Sequence, residues 1–221
     1  MRSRHWLRIL SLAGWLAGLV MPAAAHPHVW VTVEATVVYE GGKITGLSHK
    51  WTFDDMYTAM AIEGLDTNGD KVYSKEELAD LAKVNIDGLK EFGYFTYAKL
   101  GETVLKLKEP VDYWLEHKDG VLSLTFTLPL EQPLLADAEG FNFSIYDESF
   151  FIAFDFAKDN PVKLGAGAPN GCTASVGVPE KDVQQLQDLN KAFGGQLTAG
   201  NANAGMGGGY AKTAMLTCKR S

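Results

Sequence analysis

Apolar and polar residues alternate along much of the chain between residues 29 and 156, and that alternation sets the predicted elements. Residues 29–38, rich in Val and Thr, predict a strand. Gly41 and Gly42 predict a tight turn, and residues 44–53 a returning strand. Residues 113–117 and 121–128 pair in the same way across Asp119-Gly120. Leu122, Leu124, Phe126 and Leu128 share one face, as in a half-buried strand. Residues 94–107 read as strands, and residues 141–156 as two short strands broken at Asp147-Glu148. Residues 54–65 and about 74–92 read as helices. In the tail, residues 172–178 and 211–218 predict strands. Between them, Val183, Leu186, Leu189 and Phe193 fall on one helical face that Gly194-Gly195 ends, and residues 200–209 form a Gly/Asn/Ala-rich loop. Hairpins dominate and the helices cluster. The fold class is therefore α+β: an antiparallel sheet with an inserted helix–loop–helix and a C-terminal strand–helix–strand unit.

The first residues follow a different pattern. Arg2, Arg4 and Arg8 precede an uncharged, mostly apolar run at residues 9–21. Ala23, Ala24 and Ala25 then supply the small residues a signal peptidase accepts. A spanning helix needs about 20 apolar residues, and this run is shorter. Residues 1–25 are thus read as a secretory signal cut after Ala25, and residues 26–221 as a single periplasmic domain with no later membrane insertion. Within 1–25 lie three basic residues and no acid, so the exported part carries 17 Lys and Arg against 27 Asp and Glu. Such a balance argues against nucleic acid as a partner and suits cations. Cys172 and Cys218 are the only cysteines, and export would favour one disulfide between them.

The most specific motif is Asp66-Thr67-Asn68-Gly69-Asp70-Lys71-Val72-Tyr73-Ser74-Lys75-Glu76-Glu77. A hard cation takes six to eight oxygens. Asp66, Asn68 and Asp70 offer side-chain oxygens at positions 1, 3 and 5. Val72 offers a carbonyl, Ser74 a hydroxyl or a bridging water, and Glu77 two oxygens at position 12. The pattern resembles the EF-hand loop over all 12 positions, which implies Ca2+. Its departure is Lys71, where that family has Gly; a non-Gly residue in the left-handed turn costs on the order of 1 kcal/mol, and its charge opposes the cation. Ser74 and Glu77 also fit a capping box, which explains those two residues but not Asp66 and Asn68.

Cleavage after Ala25 would leave His26-Pro27-His28-Val29-Trp30 as the new terminus. In an extended chain His26, His28 and Trp30 share a face. His26 would add a free α-amine beside its imidazole. Such nitrogen donors suit Zn2+, Ni2+, Co2+ or copper. Pro27 lacks an N–H, which blocks square-planar binding through the backbone. Further ligands are open among His49, His117, Asp54, Asp55, Asp147 and Glu148. Incidental terminal histidines remain an equal reading on chemistry alone.

Four stretches carry a wider resemblance: HPHVWV at residues 26–31, WTFD at 51–54, LDTNGD at 65–70 and YDESFF at 146–151. Together they are similar to a family of exported proteins of unknown function, often labelled the periplasmic component of an uncharacterised ABC-type transport system. That resemblance implies a periplasmic accessory of a zinc, nickel or cobalt permease, with His26 and His28 as metal ligands and no enzymatic activity. A calcium-stabilised interaction module and an exported hydrolase using a carboxylate pair are the alternatives. GMGGGYAKT at residues 205–213 is no phosphate loop, because Ala211 stands where Gly must precede the Lys.

Overall fold

Val31, Val33, Ala35 and Val37 are buried on alternate positions, and this phase lays β1 (Val29–Glu40) across a core with one face inward. A computed structural model describes residues 28–149, 151–178, 188, 191 and 211–219. β1 turns at Gly41-Gly42 into β2 (Lys43–Phe53), which pairs with it antiparallel. β5 (Val111–Lys118) and β6 (Val121–Leu135) form the second expected hairpin. The sheet runs β5-β6-β2-β1-β8, where β8 is Ile152–Phe156, and β9 (Val162–Leu164) also pairs with β1.

A second sheet has the order β10-β11-β7-β3-β4. Its strands are β3 (Thr96–Leu100), β4 (Thr103–Val104), β7 (Phe141–Ile145), β10 (Cys172–Gly177) and β11 (Thr213–Cys218). Aromatic rings fill the space between the sheets. Trp51 of β2 meets Phe126 of β6 edge-on at 4.9 Å, and Phe143 of β7 lies 6.4 Å from the ring of His49. Cys172 and Cys218 face each other across β10 and β11 and form a disulfide, consistent with export to an oxidising compartment.

Between β2 and β3 lie α1 (Asp55–Ala61) and α2 (Lys75–Leu89), and α2 buries Leu78, Ala82 and Ile86 against the core. Among the described residues no helix is long and apolar enough to cross a membrane. The observed class is mostly β with few helices among the described residues, compatible with α+β. Three differences from the sequence reading have physical causes. β8 and β9 run parallel to β1, so the sheet is mixed; short strands carry no sign of their direction. α1 stops at Ala61, short of residue 65. Tyr94 and Phe95, expected in a strand, sit in a 3₁₀ segment with φ of 55° and 48°, because burying both rings outweighs their strand propensity. The predicted helix at 179–193 lies outside the described residues, apart from Asp188 and Lys191, as do the glycine-rich loop and residues 1–27.

Candidate metal centres

Local hydrogen bonds shape the loop between the helices. Asp54 caps α1 by accepting from the Tyr57 N–H at 2.9 Å. Asp66 Oδ1 accepts from the N–H of Gly69 at 2.8 Å and of Asp70 at 3.2 Å, and its Oδ2 accepts from Lys71 at 3.0 Å. Asn68 Oδ1 accepts from the Asp70 N–H, and Asp70 Oδ1 from the Val72 N–H. Asp66, Asn68 and Asp70 thus turn back on their own loop. Lys71 takes a φ of 64°, the left-handed conformation expected where the resembled pattern has Gly.

Glu77 closes the loop from the first turn of α2. Its Oε1 accepts from the backbone N–H and hydroxyl of Thr67 at 2.9 and 2.8 Å. Its Oε2 accepts from the N–H and hydroxyl of Ser74 at 2.9 and 2.8 Å, and the Ser74 hydroxyl accepts from the Glu77 N–H to complete the capping box. Donation from Ser74, then Thr67, pulls the Glu77 carboxyl down to about 2, so it is ionised at neutral pH. A carboxylate offers about four lone-pair sites, and all are engaged. A cation held by both oxygens would have to replace Thr67 and Ser74. Thr67 had no role in the sequence reading; a hydroxyl ten residues before the closing Glu was the available signal.

The loop is docked on β5. Lys75 lies 5.2 Å from the centre of the Trp114 ring, and Tyr73 meets His117 edge-on at 4.8 Å. His117 therefore belongs to the loop's surroundings. Its strand is three strand spacings from β1, about 14 Å, which separates it from His28.

The second region is the start of β1. The His28 N–H donates to the Phe151 carbonyl at 2.9 Å, and the two rings lie 4.8 Å apart. The Trp30 N–H donates to Asp54 Oδ2 at 2.8 Å, and the Asp54 N–H donates to the Trp30 carbonyl. Asp147, buried behind this edge, accepts from the N–H of Ser149 and of Ile152, and Ile152 pairs with Val29. Three of the four quoted stretches, containing His28, Asp54 and Asp147, thus meet at one strand end. Burial raises the Asp54 pKa, but the N–H groups of Trp30 and Tyr57 outweigh it and hold the carboxyl below its usual range. His28 and Trp30 are both exposed while Val31 is buried, so they share the outward face as expected. His26 lies outside the described residues.

His49 is corrected as a candidate ligand. It points into the core between Trp51, Phe126 and Phe143, on the opposite face of the sheet from His28. Among the described residues neither ring nitrogen has a hydrogen-bond partner, and burial lowers its pKa to about 3. Asp54 and Asp147 are committed to backbone N–H groups, while Asp55 and Glu148 are exposed. Among the described residues no three His, Cys, Asp or Glu side chains are gathered to hold an ion. A hard-cation shell here would draw on Asn68, Val72 and Ser74 as well as Asp66, Asp70 and Glu77. These donors are all oxygens and fit Ca2+ in kind; the engagement of Glu77 weakens the fit.

The family described as "Protein of unknown function (DUF1007)" matches residues 11–218. The chain belongs to that family. It is similar to a protein of Haemophilus influenzae described as uncharacterized, 26% identical over 170 residues, covering 76% of this chain and 82% of the relative. It is also similar to an uncharacterized 15.5 kDa protein of Spirochaeta aurantia, 33% identical over 99 residues, covering 45% of this chain and 70% of the relative.

Proposed function

We propose that this family member is an exported, non-enzymatic protein that binds a divalent transition metal through its amino-terminal histidines and serves a membrane zinc, nickel or cobalt permease. The supporting observation is the meeting of the His28, Asp54 and Asp147 stretches at the start of β1. That end of the strand is held firmly, and His28 stands on its outward face. Neutral imidazole would supply borderline-soft nitrogen donors, joined by His26 and its amine once the signal is cut. The residues 66–77 would hold Ca2+ weakly, in the range of about 10⁻⁴ to 10⁻³ M, and brace α1 against α2.

A second reading has its own support. Both Glu77 carboxylate oxygens accept hydrogen bonds from Thr67 and Ser74, which favours a loop that staples the helices of an interaction module.

The test is metal content after export. Protein recovered from the periplasm of zinc- or nickel-grown cells is expected to carry about one transition-metal ion per chain, lost in His26→Ala/His28→Ala. Metal-free wild type, or equal metal in the double variant, overturns the proposal.

A further inference from the structure

Two Asn-Gly pairs occur in the chain: Asn68-Gly69 in the loop between the helices, and Asn170-Gly171 in the turn that leads into β10. Both asparagines are exposed, so access of water does not distinguish them. Their hydrogen bonds do. At the first pair the Gly69 N–H donates to Asp66 Oδ1 at 2.8 Å, and Asn68 Oδ1 accepts from the Asp70 N–H at 2.8 Å. At the second pair no hydrogen bond among the described residues engages the Asn170 carboxamide or the Gly171 N–H. The turn is closed by the Cys172 N–H, which donates to the Pro169 carbonyl at 3.3 Å. Gly171 takes a φ of 84° and has no side chain to shield its nitrogen.

We propose that Asn170 is a site of self-modification, at which the exported chain deamidates while Asn68 is protected by its loop. The Gly171 nitrogen attacks Cγ of Asn170. The new C–N bond closes a cyclic imide, the Cγ–Nδ2 bond breaks, and ammonia leaves with the Gly171 proton. Water then adds to either ring carbonyl. One opening gives an aspartyl residue at position 170. The other gives an isoaspartyl residue, which carries the main chain through the side-chain carbon. At Asn68 the same closure has to break both hydrogen bonds first. The consequence at position 170 is local. Gly171 stands directly before Cys172, and its carbonyl accepts from the Lys219 N–H at 3.2 Å. An isoaspartyl link lengthens the chain at this turn by one carbon and shifts the carbonyl that holds the end of β11. The Cys172–Cys218 disulfide keeps the two strands joined.

Ageing of residues 26–221 at pH 8 and 37 °C, followed by reduction, trypsin and mass spectrometry, tests this. Peptide 164–181 holds Asn170, and peptide 51–71 holds Asn68. In the folded protein the first is expected to gain the amide-to-acid mass at least tenfold faster than the second. In chain unfolded with guanidinium chloride and dithiothreitol before ageing, the two rates should approach each other. An isoaspartyl methyltransferase with a labelled methyl donor should mark peptide 164–181, and Asn170→Gln should abolish the mark. Aged protein should also unfold at lower urea than Asn170→Asp, which carries the charge without the added carbon. The proposal is overturned if the two peptides convert at equal rates in the folded chain, if peptide 51–71 converts first, or if peptide 164–181 stays unmodified while folded. Equal urea midpoints of aged protein and Asn170→Asp overturn the consequence drawn for the turn.

Discussion

The loop of residues 66–77 and the start of β1 orient their candidate ligands by opposite means. In the loop, the shaping hydrogen bonds join residues ten positions apart or fewer, from Asp66–Gly69 to Thr67–Glu77. At the start of β1 they join Trp30 to Asp54 and His28 to Phe151, across two strands of the sheet. The loop carries its own instructions in a short motif, and its geometry follows from backbone N–H groups seeking nearby oxygens. The strand end exists only once β2 and β8 have closed around β1. Damage to the sheet should therefore reach the histidines first, and damage to the loop should stay with calcium.

The largest expected effect separates the two regions by ligand. With a dissociation constant of about 10⁻⁴ to 10⁻³ M, 10 mM Ca2+ should stabilise the wild type by about 1.4–2.7 kcal/mol in urea denaturation. Asp66→Ala/Glu77→Ala should lose that increment and keep zinc or nickel binding. A variant still stabilised by Ca2+ would place the ion elsewhere.

Asp54→Ala strikes the other region. It removes the α1 cap and the acceptor for Trp30, at a cost of about 2 kcal/mol in a chemical melt. Transition-metal affinity should fall with it while Ca2+ affinity holds. Equal losses at both sites would erase the contrast.

Acid sharpens the comparison through the core between the regions. The His49 pKa is about 3 when folded and near 6.5 when unfolded, so the unfolded chain alone takes up a proton between these values. Stability should fall by about 1.4 kcal/mol per pH unit as pH drops below 6.5, and His49→Phe should flatten that slope. Glu77, held near 2 when folded, adds its own slope only at the acid end, as pH falls toward its unfolded value of about 4.5 and the unfolded chain alone takes up that proton. Urea midpoints of both proteins between pH 7 and pH 4 would measure this, and parallel slopes would contradict it.

The smallest effect is Lys71→Gly. It relieves the left-handed strain and removes a positive charge, so about 1 kcal/mol of stability and about fivefold tighter Ca2+ binding are expected. Weaker Ca2+ binding would show that Lys71 positions the loop.

The same contrast explains what the sequence made legible. The capping box of Ser74 and Glu77, both hairpins and the disulfide were readable, because each rests on local pattern or on the only pairing possible. The parallel pairing of β8 with β1 was not, since Ile152 and Val29 meet only in the folded sheet. His49 was readable in principle: it shares its phase with Leu47, Trp51 and Phe53, all buried. Its value as a ligand type masked that phase. The stack of Tyr97 on Tyr146 joins β3 to the residue just after β7, and no spacing rule connects the two.

The most direct measurement is calorimetry of the chain beginning at His26, titrated with Zn2+ and Ni2+, beside His26→Ala/His28→Ala. The account predicts sub-millimolar binding of at least one metal in the first protein, its loss in the second, and unchanged Ca2+ binding in both. Zinc and nickel binding that survives the loss of both histidines would contradict it.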